Sequence, residues 1–268
     1  MRRSPLPGFG LSLGIASTWL SAIVLLPLAA LLWRPWELGI PALLARLADP
    51  RLLAALRLSF GAALLAALLS AVLGLLLAWV LVRYRFPLRG LCDAAVDLPF
   101  ALPTAVAGIA LAALYGPNGW LGAPLAALGL RLAYTPAAIV LALVFVGLPF
   151  VVRTTEAVLR QLPAEAEEAA ATLGANRAQT LRRVVLPALS PALLTGAALA
   201  FARGVGEYGS VIFIAGNLPF HSEIAPLLIA IRLDEFDYPG AAALGLAMLV
   251  ISLLLLGLLQ ALRARLPT

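Results

Sequence analysis

The chain has 268 residues, of which 63% are hydrophobic and only 12% charged, where an ordinary soluble domain carries roughly 25% charged residues. With a mean hydropathy of +1.02, this balance excludes a soluble globular domain and points to an integral membrane protein. The net charge of +6 comes entirely from arginine, with no lysine anywhere; no basic stripe interleaved with exposed aromatics is present, so nucleic acid is not an expected partner.

The chain opens "MRRSPLPGFGLSLGIASTWLSAIVLLPLAALLW". Its apolar run of about 20 residues exceeds the 7–15 of a signal-peptide core and is long enough to span a bilayer. It reads as a retained first helix over about 12–33. Further apolar stretches follow at about 57–82, 98–115, 133–152, 192–217 and 239–262. The expectation is an all-α membrane protein of six transmembrane helices forming one domain, 1–268. In the third stretch Pro99 and Pro103 each remove an amide donor. They mark either a helix start near the membrane surface or an irregular segment lining a cavity, where such backbone is tolerated.

The connections alternate in charge. Arg2, Arg3, Arg83, Arg85, Arg89, Arg153, Arg160, Arg177, Arg182, Arg183, Arg263 and Arg265 fall on the side of the N-terminus. Arg34, Arg46, Arg51, Arg57, Arg131 and Arg232 fall on the other. Twelve against six places both termini in the cytoplasm by the positive-inside bias. On the outer side, 34–56 suits a short interfacial helix. "IAPLLIAIRL" is apolar but too short to span, and suits a helix lying against the bundle. His221 reads as a loop residue. The single Cys92 excludes an internal disulfide and a multi-cysteine metal site; no metal site is expected.

Between the fourth and fifth stretches, over about 153–191, the chain turns polar: "RTTEAVLRQLPAEAEEAAATLGANRAQTLRRVVLPALSPAL". Pro163 can open a helix, with Glu165, Glu167 and Glu168 in the first turns, where the dipole favours negative charge. Gly174 suits a left-handed cap. A second helix is predicted from about Ala175 to Leu186, stopped by Pro187. The order Glu168-Ala169-Ala170, three residues, Gly174, nine residues, Val184, one residue, Leu186-Pro187 resembles the EAA loop of ABC importer permeases, with Val in place of Ile. In that family the loop is the coupling element docked into the ATPase subunit. The resemblance therefore implies a type I permease fold with a cytoplasmic coupling helix between helices 4 and 5, and contact with the ATPase at Glu168, Ala169, Ala170, Gly174, Leu186 and Pro187. A P-loop requires a lysine, which this chain lacks, so ATP and Mg belong to a separate subunit. No catalytic residue is expected.

A narrower resemblance covers nearly the whole chain. "RYRFPLRGLCDAAVDLPFALPTAVAGIAL", "LPFVVRTTEAVL", "FARGVGEYGSVIFIAGN" and "IRLDEFDYPGAAAL" resemble sulfate/thiosulfate ABC importer permeases, and the opening looks like their T-type subunit. That resemblance implies an inner-membrane complex with a W-type permease, two ATPase subunits and a periplasmic sulfate-binding protein. Molybdate/tungstate permeases, which work as homodimers, share the EAA loop and a similar R-x-x-G-E-[FY]-G stretch. An ATP-independent transporter or channel leaves the EAA spacing unexplained, and no inverted repeat is evident. Gly204-Val205-Gly206-Glu207-Tyr208-Gly209 matches G-x-G-x-x-G, but inside an apolar stretch without a preceding strand, so it is not a nucleotide fingerprint.

Arg203 lies roughly 16 Å along the fifth stretch at 1.5 Å per residue. An arginine at that depth costs about 2.5–3.5 kcal/mol on insertion scales and must face the bundle interior or water. Glu207, four residues on, falls on the same helix face. Two readings stand: a neutralised pair that fixes packing, or a candidate anion path of Arg203, Glu207 and Thr104.

Overall fold

The computed structural model describes residues 8–263; Arg2, Arg3 and Arg265, used above to orient the termini, lie outside them. The described residues are helical and connected by turns. Five helices are long and apolar enough to cross a membrane: α1 (Phe9–Leu38), α3 (Pro50–Arg83), α7 (Pro136–Gln161), α9 (Arg177–Val205) and α12 (Tyr238–Arg263). Shorter helices lie between them: α2 (Ile40–Leu47), α4 (Arg89–Val96), α5 (Thr104–Tyr115), α6 (Gly122–Ala127), α8 (Ala164–Thr172), α10 (Val211–Ile214) and α11 (Ala225–Asp234).

Their starts follow local chemistry. Asp49 caps α3, its carboxylate accepting from the Arg51 amide at 2.9 Å, with Pro50 at the first helical position. Pro136 opens α7 in the same way.

The core is α3, α7 and α9, packed through small residues. Gly74 lies against Val151, Gly147 against Ala200, Gly196 against the Val151 backbone and Gly204 against Ala63. These pairings run α3 and α7 in the same direction and α9 against them. Small residues at helical spacing, such as Gly196, Ala200 and Gly204, let backbones approach closely where no hydrophobic effect drives helices together. By contrast, none of the most apolar window of α1 is buried.

Three expectations are corrected. Pro187 does not stop a helix: α9 runs from Arg177 through it to Val205. Residues Leu181–Val185 form a π-helical turn, and the Leu186 amide donates to the Leu181 carbonyl five residues back. The wider turn accommodates the ring that a regular turn would set against the carbonyl four residues earlier. The same device recurs in α1, where a π turn at Ser21–Leu25 precedes Pro27.

Second, the stretch 98–115 is not one helix. A single turn at Leu98–Ala101 is separated from α5 by extended backbone at Leu102 and Pro103, and the 12-residue α5 is too short to span alone. Third, the stretch 192–217 breaks after Val205 and resumes only as the four-residue α10.

Candidate functional site

Two groups of residues singled out by sequence occupy different places. The first is the hairpin of α8 and the start of α9. Gly174 has φ +83°, and the Ala175 amide donates to the Ala170 carbonyl at 3.0 Å while the Gly174 amide donates to Ala171 at 3.0 Å. This is a Schellman ending, which needs a left-handed residue. A β-carbon on Gly174 would meet nothing within 4 Å, so the glycine is there for its backbone and not for space. Asn176 and Gln179 then exchange side-chain and backbone hydrogen bonds at 2.8 and 2.9 Å. The N-x-x-Q spacing is the sequence signature of this capping box.

The hairpin is anchored on one side and free on the other. Glu167 is ion-paired with Arg83 at the end of α3. Arg83 also lies over the Trp79 ring, 5.7 Å from its centroid. Glu168 and Ala169 are exposed, Ala170 is half-buried, and Leu173 is 88% exposed. Sequence reasoning missed Leu173, although a leucine just before the cap glycine of a polar hairpin is the signal that finds it. Leu186 and Pro187 sit apart from this tip, at the root, where Val185 and Leu189 are buried against Leu159.

Beside the root, Arg153 gathers three carboxylates. It donates to both Asp97 oxygens at 2.9 and 2.6 Å, to Asp93 at 2.5 Å and to Glu156 at 2.7 Å. Glu156, only 4% exposed, also pairs with Arg160. This hub ties α4 to α7, and was signalled by Asp93 and Asp97 at four-residue spacing.

The second group surrounds the break after α9. Arg203 Nη1 lies 2.5 Å from Glu207 Oε2, as the four-residue spacing predicts, though Glu207 stands beyond the helix end and not within it. The other oxygen of Glu207 accepts from both the amide and the hydroxyl of Ser210 at 2.9 Å. The carboxylate thus satisfies a donor set free by the broken helix. The Glu207 side chain is 1% exposed and that of Arg203 36%. Thr104, at the start of α5, packs on Gly209, and Gly108, one turn on, packs on the Ser210 backbone so closely that a β-carbon on either glycine would overlap its neighbour. Arg203, Glu207 and Thr104 therefore meet around the single break Gly206–Ser210. Buried charge is tolerated here because it is paired and hydrogen-bonded. Among the described residues no group of three or more acidic, histidine or cysteine side chains is placed to hold a metal ion.

Residues 70–267 match the model of the binding-protein-dependent transport system inner membrane component family. The chain is 49% identical over 263 residues to the sulfate transport system permease protein CysT of Salmonella typhimurium, covering 98% of this chain and 95% of that one. It is 47% identical to the CysT of Synechococcus elongatus, covering 92% and 89%. Among solved structures, a bacterial ABC transporter involved in import of the acidic polysaccharide alginate matches with a TM-score of 0.78 at 16% identity, covering 97% of each chain; at that identity the likeness concerns the fold alone. An inward-facing methionine ABC transporter matches with a TM-score of 0.56 at 20% identity, covering 80% of this chain and 93% of that one. With a family model over most of its length and such relatives over nearly all of it, the chain belongs to the inner membrane components of binding-protein-dependent transport systems, alongside the sulfate transport system permeases.

Proposed function

We propose that this chain is the permease subunit of an ATP-driven sulfate and thiosulfate importer in the bacterial inner membrane. The observation that carries the reading is the near-half identity, end to end, with sulfate transport system permeases. The exposed tip of the α8–α9 hairpin supports it, because an uncovered Leu173 beside Glu168 and Ala169 is what docking into a soluble partner requires.

In this reading the arginine-rich hairpin end faces the cytoplasm, and two ATPase subunits bind the hairpins of this chain and of a W-type permease. ATP and Mg act on those ATPase subunits. A periplasmic sulfate-binding protein delivers the anion at the opposite end. Closure of the ATPase pair moves the hairpin, and Arg83–Glu167 with the Arg153 hub carries that movement into α3 and α7. Packed helices pass on displacement because they have discrete arrangements. The half-exposed Arg203 contributes positive potential to the path. Glu207 holds its guanidinium and keeps the site weak enough for release, while Thr104, packed on Gly209, offers a hydroxyl at the same break.

The test is uptake of labelled sulfate by a permease-null cell supplied with this chain and its partner subunits, with thiosulfate and molybdate as competitors. Restored uptake inhibited by thiosulfate is expected. Uptake of molybdate alone overturns the substrate assignment, and uptake that continues without the ATPase overturns the ABC mechanism.

A further inference from the structure

At the end of the bundle opposite the hairpin lies a cleft of about 440 Å³, lined by Tyr115, Ala126, Leu130, Arg131, Tyr134 and Thr135 among others. Arg131 is the one charged residue in its lining. The remaining arginines at this end show why that is unusual. Arg34 pairs with Glu37, Arg46 with Asp237, Arg51 with Glu223, and Arg232 with Asp49, Glu235 and Asp237. Arg131 makes no such pair among the described residues, which include all 13 acids of the chain. Arg57, also unpaired, does not line the cleft.

The wall of the cleft is held under backbone strain. Tyr134 has φ +64°, a left-handed conformation that is uncommon for a bulky residue and costs of order 1–3 kcal/mol. It is held there by its amide, which donates to the Ile214 carbonyl at 2.7 Å, and by Gly216. A β-carbon on Gly216 would come within 2.9 Å of the Tyr134 carbonyl oxygen. Tyr134 thus lines the same cleft as Arg131, whose guanidinium has no acid partner among the described residues, and Tyr115 lines it too. A guanidinium and hydroxyl donors are the groups that recognise an oxyanion.

The cleft also rests on the elements that hold the Arg203 site. Tyr115 ends α5, whose first residue Thr104 packs on Gly209, roughly 17 Å away at 1.5 Å per residue. Ile214 ends α10, which begins beside Ser210, the partner of Glu207.

We propose that the Arg131 cleft is an oxyanion vestibule. It receives a tetrahedral dianion of the sulfate class when the anion is released at this end, and raises its concentration beside the path that leads to the Arg203 site. The proposal rests on the transport reading above. An anion held by a lone exposed guanidinium and neutral hydroxyls leaves readily, because no second cation binds it and water competes for each donor.

The experiment uses the complete transporter with its binding protein in proteoliposomes. It measures sulfate accumulated per ATP hydrolysed, and the concentration of binding protein that half-saturates ATPase stimulation. Arg131→Gln is expected to lower sulfate per ATP by up to about tenfold, the scale of a focused electrostatic effect, with the half-saturating concentration of binding protein unchanged. Arg131→Lys is expected to keep most of the wild-type ratio, and Tyr134→Phe to fall between. An unchanged ratio in Arg131→Gln overturns the proposal. So does a raised half-saturating concentration with uptake restored by excess binding protein, because that marks a protein-docking surface. Absence of sulfate uptake in the wild-type complex removes the transport reading itself, and is distinct from either result.

Discussion

Arg83 at the end of α3 and Glu167 in the first turns of α8 form an ion pair across 84 positions of sequence, and it joins the polar hairpin to the longest core helix. Both side chains are mostly buried, at 25% and 30% exposure, so the pair is worth about 1 kcal/mol, toward the upper end for partly exposed pairs. Glu167→Gln is expected to weaken co-purification of the ATPase by a few fold without loss of the permease from the membrane. The exchange Arg83→Glu with Glu167→Arg recovers part of it. A double-mutant cycle with no coupling between the two positions overturns the mechanical role.

Leu173 and Gly174 are expected to separate docking from folding. Leu173→Ala removes an 88% exposed side chain and leaves stability unchanged, while ATPase binding falls by about 2 kcal/mol, as for an interface anchor. Gly174→Ala acts through the left-handed backbone and costs about 1 kcal/mol of hairpin stability. Gly174→Asn is milder. Titration of the ATPase onto solubilised permease, with thermal unfolding in parallel, distinguishes the two residues. Equal loss of binding and stability in Leu173→Ala counts against the anchor.

The buried carboxylate of Glu207 makes single changes at Arg203 hard to interpret, because Arg203→Gln strands that charge at a cost of about 3–5 kcal/mol. The double variant Arg203→Gln with Glu207→Gln keeps an acceptor for Ser210 and removes both charges. It is expected to assemble with the ATPase at normal abundance and to transport sulfate poorly. Normal uptake in the double variant places Arg203 outside the anion path.

Arg153→Gln is expected to lower thermal stability in detergent by a few degrees, since Asp93 and Asp97 lose the guanidinium that ties α4 to α7 while Glu156 keeps Arg160; a part-exposed pair of this kind is worth about 1 kcal/mol. An unchanged midpoint indicates that water, not Arg153, satisfies those groups.

The polar hairpin was legible because its spacing is long and its residues polar in an apolar chain. Glu168, Ala169, Ala170 and Gly174 cluster at its tip. Leu186 and Pro187, in the same motif, sit at its root, and nothing in the linear spacing separates the two places. The Arg203–Glu207 pair followed from four-residue spacing alone. The break between those residues was masked by the apolar run that resumes at Val211–Ile214, although Gly206 and Gly209 flank it, and Thr104 and Gly108 of a distant segment pack against its far side. The length of α7 was also hidden. It continues past the apolar stretch to Gln161, since Arg153, Glu156 and Arg160 neutralise one another. In the sequence Arg131 is one loop charge among six; its isolation in the cleft becomes visible once Arg34, Arg46, Arg51 and Arg232 are matched to their acids.

The two π turns have a geometric consequence. Each adds one residue to a turn, so the helix beyond it is out of phase by about 100° with the helix before it. In α9 this offset lies between the hairpin tip and the root, and so between the tip and the Gly196-Ala200-Gly204 seam. Conversion of Leu181–Val185 to regular turns swivels the hairpin by one residue position and advances it by about 1.5 Å while leaving that seam in register. Pro187 resists the conversion, because its ring would meet the carbonyl four residues back in a regular turn, so this one residue sets the rotation of the hairpin relative to the seam.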